Sequence, residues 1–325
     1  MKRNLVLIFF LASLAVMFQS CKEDTANPTV TKTYNAFDAN HKITITLVNS
    51  FSDGLAGFFN KYYAIDDFKA QLIGAMLENA RFLSDNSGYI YCYDTNQTCV
   101  AHPIDHSREG KNYIDAQDSH GKYYAREMSD SLRTFGYGTI HHFWTNPETG
   151  ADEEKIAYVN LIDGSRYYLG SGFFASFMDG WSIDETGLNK EIARQAVQAT
   201  AQALSHTFQT FDFSKTKQVE FMVAYMDSVR FFDDNSGYFF VDDTSYFSIV
   251  FPTNKSLEGT SLYDYTDSKG NHPVRLMVDV IKANGKGYVE YYYINPNTGK
   301  EQKKIVFIER IEGTEYFIGA GVYIE

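Results

Sequence analysis

The chain has only three cysteines among 325 residues, at positions 21, 92 and 99, so at most one internal bridge could help hold a fold of this length. The signatures of common enzymes are missing too: there is no Gly-x-Ser-x-Gly, no His-Glu-x-x-His, no phosphate loop and no dinucleotide fingerprint. No enzymatic activity is expected. Basic residues are outnumbered, 29 against 41 acidic, and the net charge of −12 makes nucleic acid and anionic membrane surfaces poor partners. Beyond an N-terminal apolar run, no stretch is long enough to cross a bilayer.

What the chain does have is a repeat. Residues 81–89, RFLSDNSGY, return as RFFDDNSGY at 230–238, an offset of 149, and the ungapped comparison of 81–174 with 230–323 matches 33 of 94 positions. Two copies of one unit follow, and function is to be sought in that unit. With 44% hydrophobic residues the chain can build two ordinary globular cores, and 24 Tyr and 26 Phe suit strand-rich domains walled by rings.

The N-terminus reads as a targeting segment. Lys2-Arg3 precede an uncharged apolar run over 5–18, which is short for a bilayer span. Gln19-Ser20-Cys21 followed by Lys22-Glu23-Asp24 resembles a bacterial lipoprotein signal, with Phe18 where such signals usually carry Leu. That resemblance implies removal of residues 1–20 and a lipid on Cys21, against a plain secretory peptide in which Cys21 is incidental. Lys22-Glu23-Asp24 also resembles surface-export signals of Bacteroidetes lipoproteins. Loss of Lys2 and Arg3 leaves 27 basic against 41 acidic residues, a net charge of −14.

The expected organisation is a tether over 21–38, a first domain over 39–176, a joint over 177–184 and a second domain over 185–325. Apolar Ile43, Leu47, Phe51, Leu55, Phe58 and Phe59 predict a helix over about 39–63, and a second helix over 66–83 ends at Arg81 and its neighbours. Strands at 88–94 and 98–102 then form a hairpin. Either a two- or a four-residue turn sets Tyr93 opposite Thr98 and Cys92 opposite Cys99, in position for a disulfide, with Tyr89, Tyr91, Tyr93, Val100 and His102 sharing a face. The second unit has Val241 and Ser248 at those two places, so the fold does not need the bridge. A helix over 122–135 and strands near 138–145, 155–161 and 166–174 complete the unit. The fold class is α+β: two long helices, then a predominantly antiparallel sheet with an inserted helix. His141 and His142 alternate across their strand, which speaks against a shared metal, and the Asp-Asn-Ser-Gly turns lack the spacing of a calcium loop. No metal or cofactor is expected.

The ordered marks Gly88-Tyr89-Ile90-Tyr91, His102-Pro103, Glu109-Gly110, Asp118-x-x-Gly121, Gly136-x-Gly138, Trp144, Lys155-Ile156-Ala157-Tyr158 and Gly170-Ser171-Gly172 resemble the single Cache domain, the extracytoplasmic sensing module of bacterial chemoreceptors and sensor kinases. The second unit repeats them as Gly237-Tyr238, Pro252, Glu258-Gly259, Asp267-x-x-Gly270, Gly285-x-Gly287, Lys304 and Gly319-Ala320-Gly321. The resemblance implies two tandem PAS-like domains, each with a small-molecule pocket on one sheet face; many relatives bind small organic acids. Residues able to build an anion pocket are Arg81, His102 and Lys155, walled by Tyr89, Tyr91, Trp144 and Tyr158. Their convergence is implied by the resemblance. The second-domain equivalents are Arg230, Tyr238, Tyr293 and Lys304, with Phe251 and Phe307 replacing His102 and Tyr158. The first unit is therefore the better candidate for a polar ligand, while the second binds something more apolar or nothing. Because the sequence ends just after the second unit, no output domain is expected, and signalling or transport falls to a separate membrane partner. The reading is a lipid-anchored small-molecule binding or sensing protein of the cell envelope, on the periplasmic or cell-surface face of the outer membrane, a small carboxylate being one option for its ligand. The alternative is a cell-surface structural or interaction lipoprotein whose Cache folds bind nothing.

Overall fold

Two helices of 26 residues, one per repeat, set the architecture. The computed structural model describes residues 32–62, 64–83, 86–146, 149–175 and 181–324. The expected signal segment 1–20 and Cys21 lie outside them. Strand β1 (Thr33–Asn35) leads into α1 (Ala36–Lys61), which begins three residues before the expected 39 because the Asn35 side chain accepts from the Asp38 N–H at 2.8 Å and caps it. Strand and first helical turn thus occupy residues read as tether. The ambiguous Ile-Thr-Ile-Thr run at 43–46 is helical, since Ile43, Leu47, Phe51 and Leu55 fall on one buried face.

Helix α2 (Asp66–Glu78) stops earlier than its pattern predicted, and Arg81 belongs instead to β2 (Arg81–Phe82), paired with β3 (Gly88–Tyr89). The first sheet is built from β4 (Tyr91–Asp94), β5 (Cys99–Ala101), β6 (Tyr137–Thr145), β7 (Asp152–Leu161) and β8 (Tyr167–Phe174), in the antiparallel order β5-β4-β8-β7-β6. Helix α3 (Tyr124–Phe135) is inserted between β5 and β6 and ends at Gly136, whose φ of +80° suits a residue without Cβ.

The second repeat has the same order: β9 (Ser182–Asp184), α4 (Glu185–Thr210), α5 (Lys215–Met226), β10 (Phe240–Asp243), β11 (Ser248–Val250), α6 (Pro273–Asn284), β12 (Lys286–Ile294), β13 (Glu301–Arg310) and β14 (Tyr316–Ile324). Its sheet runs β11-β10-β14-β13-β12, strand for strand the first sheet again. The α+β expectation holds. Asp184 caps α4 as Asn35 caps α1, and β1 pairs antiparallel with β9, which ties the two helix starts together.

The repeats exchange helix contacts: α2 packs on α4, and α5 packs on α1. One hydrophobic core therefore runs through both, joining Phe51 and Leu55 of α1, Leu204 and Phe208 of α4, and Phe221 and Tyr225 of α5 to the helix-facing sides of both sheets. Two smaller clusters cover the opposite sheet faces, one per repeat. At the crossing of α1 and α5, a Cβ on Gly54 would lie 2.4 Å from the ring of Tyr225, which is fully buried and stacked on Phe221. Gly54→Ala is expected to cost about 1–3 kcal/mol by overpacking, read as a lowered midpoint in urea unfolding; an unchanged midpoint would show that the helices separate freely.

The expected pairing of Cys92 with Cys99 is corrected. A bulge between Cys92 and Tyr93 sets Cys99 opposite Tyr93 and Cys92 opposite Ala101. Cys92 then joins the helix-side core and Cys99 the opposite face, and both are buried free thiols.

Candidate functional site

The sheet face turned away from the long helices in the first repeat bears the polar groups. Alternation along β4 sends Tyr91 and Tyr93 to that face, β6 sends His142 and Trp144, and β7 sends Lys155. With α3 laid across them, these side chains enclose a cavity of about 40 Å³, also lined by Gln97, Met128 and Tyr168. An outer cleft of about 450 Å³ continues from it, and the two share Tyr89, His102, Arg108, Trp144 and Lys155. These five form the neck.

Two cations meet there. Lys155 is 5% exposed and its Nζ donates to Tyr89 Oη at 3.3 Å. Arg108, from the single-turn helix His106–Arg108, donates through Nε to Tyr93 Oη at 3.1 Å and lies over the rings of Tyr113 and Trp144 at 4.0 and 5.0 Å. Among the described residues neither forms an ion pair with a carboxylate. A buried cation without an ion pair is costly, and among the described residues the one carboxylate lining either space is that of Asp105.

Two histidines add neutral donors and acceptors. Burial first, then Arg108 and Lys155, pushes the His102 imidazole down to about 4. Its Nδ1 accepts from the Asp105 N–H at 3.1 Å, which leaves the proton on Nε2, and the ring stacks on Tyr91 within 7° of parallel. His142 is also pushed down to about 4, by burial and then by Lys155, and its buried Nδ1 has no hydrogen-bond partner among the described residues. His141 points to the other face of the sheet, as alternation required, and pairs there with Glu154.

The expected site is thus brought together in part. Tyr89, Tyr91, His102, Trp144 and Lys155 converge. Arg81 does not: its guanidinium donates to the carbonyls of Ala80 and Pro103 at 3.0 and 3.4 Å and lines neither space. Arg230 likewise donates to the carbonyls of Asp227 and Val229, so the recurring arginine ties off backbone carbonyls behind a helix end in both repeats. Tyr158 is on the wrong face. It stands three residues from Lys155 on one strand, an odd spacing that reverses direction, and its hydroxyl donates to Asn49 of α1 at 3.0 Å. Arg108 was missed, although the repeat held the signal: its counterpart is Leu257, the same polar-to-apolar difference that singled out His102 against Phe251.

Family models match nearly all of this architecture. The model described as single Cache domain 2 matches residues 35–182, and the model described as Cache domain, of the dCache_2 type, matches residues 183–325. The chain is two Cache domains in tandem. Cache domains are extracytoplasmic sensory modules that bind small ligands. A sensor histidine kinase of Rhizobium johnstonii, MctS, is 25% identical over 130 residues, which is 40% of this chain and 28% of the kinase. A solved Cache chemosensory domain described for carboxylic acid recognition is 24% identical over 39% of this chain and 87% of its own, with a TM-score of 0.36. The sensor domain of the V. cholerae histidine kinase DctB is 12% identical over 88% of this chain and 89% of its own, with a TM-score of 0.24. Among the described residues no helix is long and apolar enough to cross a membrane.

In the second Cache domain the corresponding cavity is about 20 Å³, with Phe240, Phe251, Leu257, Tyr291 and Tyr293 among its walls. Tyr293 lines it as expected. Lys304 is fully buried, donates to Tyr238 Oη at 2.8 Å and lies over the Tyr238 and Tyr323 rings, and burial pulls its pKa down. Neither Tyr238 nor Lys304 lines the cavity.

Proposed function

We propose that the first Cache domain captures a small carboxylate at the neck formed by Arg108 and Lys155. The observation that carries this reading is the pair of cations, one of them buried, that face one space and form no ion pair with a carboxylate among the described residues. The ligand's carboxylate supplies the missing charge, with Arg108 offering a planar fork, Lys155 a point charge, and His102 and His142 ring nitrogens that remain neutral at pH 7. Neutral histidines keep the site from carrying four positive charges when empty.

The second Cache domain contributes scaffold. Its helix α4 reaches the first domain's strand β2, where Gln202 Oε1 accepts from the Arg81 N–H at 3.1 Å and Gln195 Oε1 accepts from the Leu83 N–H at 2.7 Å. Leu83 borders the outer cleft, so the second domain holds part of the first domain's ligand wall. Around this binding unit, the chain is an extracytoplasmic protein anchored through a lipid on Cys21, and occupancy of the cleft is read by a separate membrane protein.

Calorimetric titration of the purified protein with acetate, propionate, malate, methylamine and propionamide tests the ligand class. One-to-one binding of an acid, with silence from the amine and the amide, is the expected result. Binding of methylamine alone would overturn the anion reading.

A further inference from the structure

We infer that the ligand is a monocarboxylate carrying a bulky apolar body, and that this body lies in the outer cleft against Trp181 and Ile104. The inference rests on the carboxylate reading above and names the class of acid. Its basis is the unequal room on the two sides of the neck. Inward of Arg108 and Lys155 there is about 40 Å³, enough for the carboxylate or a few waters; outward there is about 450 Å³, within the range of sites that enclose ring-sized molecules. An acid of two or three carbons would leave most of that cleft unfilled.

Part of the outer wall is apolar, beside the polar Asn40, Asn86, Ser87, Thr145 and Asn146. Leu83, Phe173 and Phe174 line the cleft, and Trp181 and Ile104 line it while remaining 47% and 52% exposed. A large indole and a branched aliphatic side chain beside one cleft offer surface that a hydrophobic group would remove from water. Charge sets the other half of the class. Among the described residues the charged ones lining the cleft are Arg108, Lys155 and Asp105, and the Asp105 carboxylate already accepts from the Ser107 N–H and hydroxyl. A second carboxylate on the ligand would find no further cation and would meet Asp105. One charged end and one apolar end remain.

The test is calorimetry on the purified protein with acetate, propionate, 3-phenylpropionate and 3-phenylpropionamide, repeated with Trp181→Ala and with Ile104→Ala. The expected result is that 3-phenylpropionate binds at least tenfold more tightly than acetate, that each variant cuts this advantage severalfold, and that acetate affinity stays within twofold in both. Acetate or propionate binding as tightly as 3-phenylpropionate would overturn the bulky-body inference and leave the carboxylate reading standing. Equal binding of 3-phenylpropionamide and 3-phenylpropionate would overturn the carboxylate reading itself. Silence from all four would overturn both.

Discussion

Asp242→Asn is expected to stabilise the protein at pH 8 relative to pH 4.5, by about 3 kcal/mol. Asp242 occupies in the second Cache domain the place that Tyr93 holds in the first; it is 1% exposed, and its Oδ1 has no hydrogen-bond partner among the described residues. Burial pushes its carboxyl up to about 7, against an ordinary value of 3.8. The folded protein therefore keeps this proton while the unfolded chain releases it. Stability from this group is fully present below about pH 4, falls as pH rises toward 7, and levels off above that. Asparagine removes the titration, so the difference between variant and parent should grow across that window. His102 and His142 act in the opposite direction, since both are pushed down to about 4 and cost stability as pH falls below 6.5. Comparing parent with variant cancels that contribution. Guanidinium unfolding at pH 4.5 and pH 8 decides the matter: an equal difference at the two values would mean that Asp242 has found water or a counter-charge.

The second large effect is at the neck. Arg108→Ala should weaken carboxylate binding by roughly 10- to 150-fold, the range for loss of a charge-assisted hydrogen bond in a buried site. Arg81→Ala should change affinity far less, because its guanidinium is spent on the Ala80 and Pro103 carbonyls. The contrast matters because Arg81 has its counterpart in Arg230 at the repeat offset, and Arg108 has only Leu257. Recurrence alone does not mark a residue of the site, since Lys155 recurs as Lys304, but the divergence at Arg108 and His102 marks what one domain does. If calorimetry found Arg81→Ala disabling and Arg108→Ala silent, the cleft described here would not be the binding site.

Local signals carried a good deal of this reading. The 149-residue offset shows two domains, the apolar stripe Ile43, Leu47, Phe51, Leu55 shows a buried helix face, and alternation predicts that His141 and His142 part ways. Alternation also held the means to exclude Tyr158, three residues beyond Lys155. The misplaced cysteines are different in kind. A single bulge in the β4–β5 pair shifted Cys99 to the other face, and one extra residue in a strand pair leaves no trace in a period-two pattern.

What the sequence determined by itself is whatever depends on neighbours along the chain: two copies of one α+β unit, helices with one apolar stripe, antiparallel strands and an acidic chain without an enzyme's signature. The tertiary structure decided what depends on neighbours in space. It set α2 on α4 and α5 on α1, making one core of two repeats; it turned Arg108 back from a loop onto Tyr93 while Arg81, so prominent in the sequence, tied off carbonyls. Both outcomes follow from packing shape and from the demand that buried polar groups be satisfied, and neither demand has a period that a linear pattern can display.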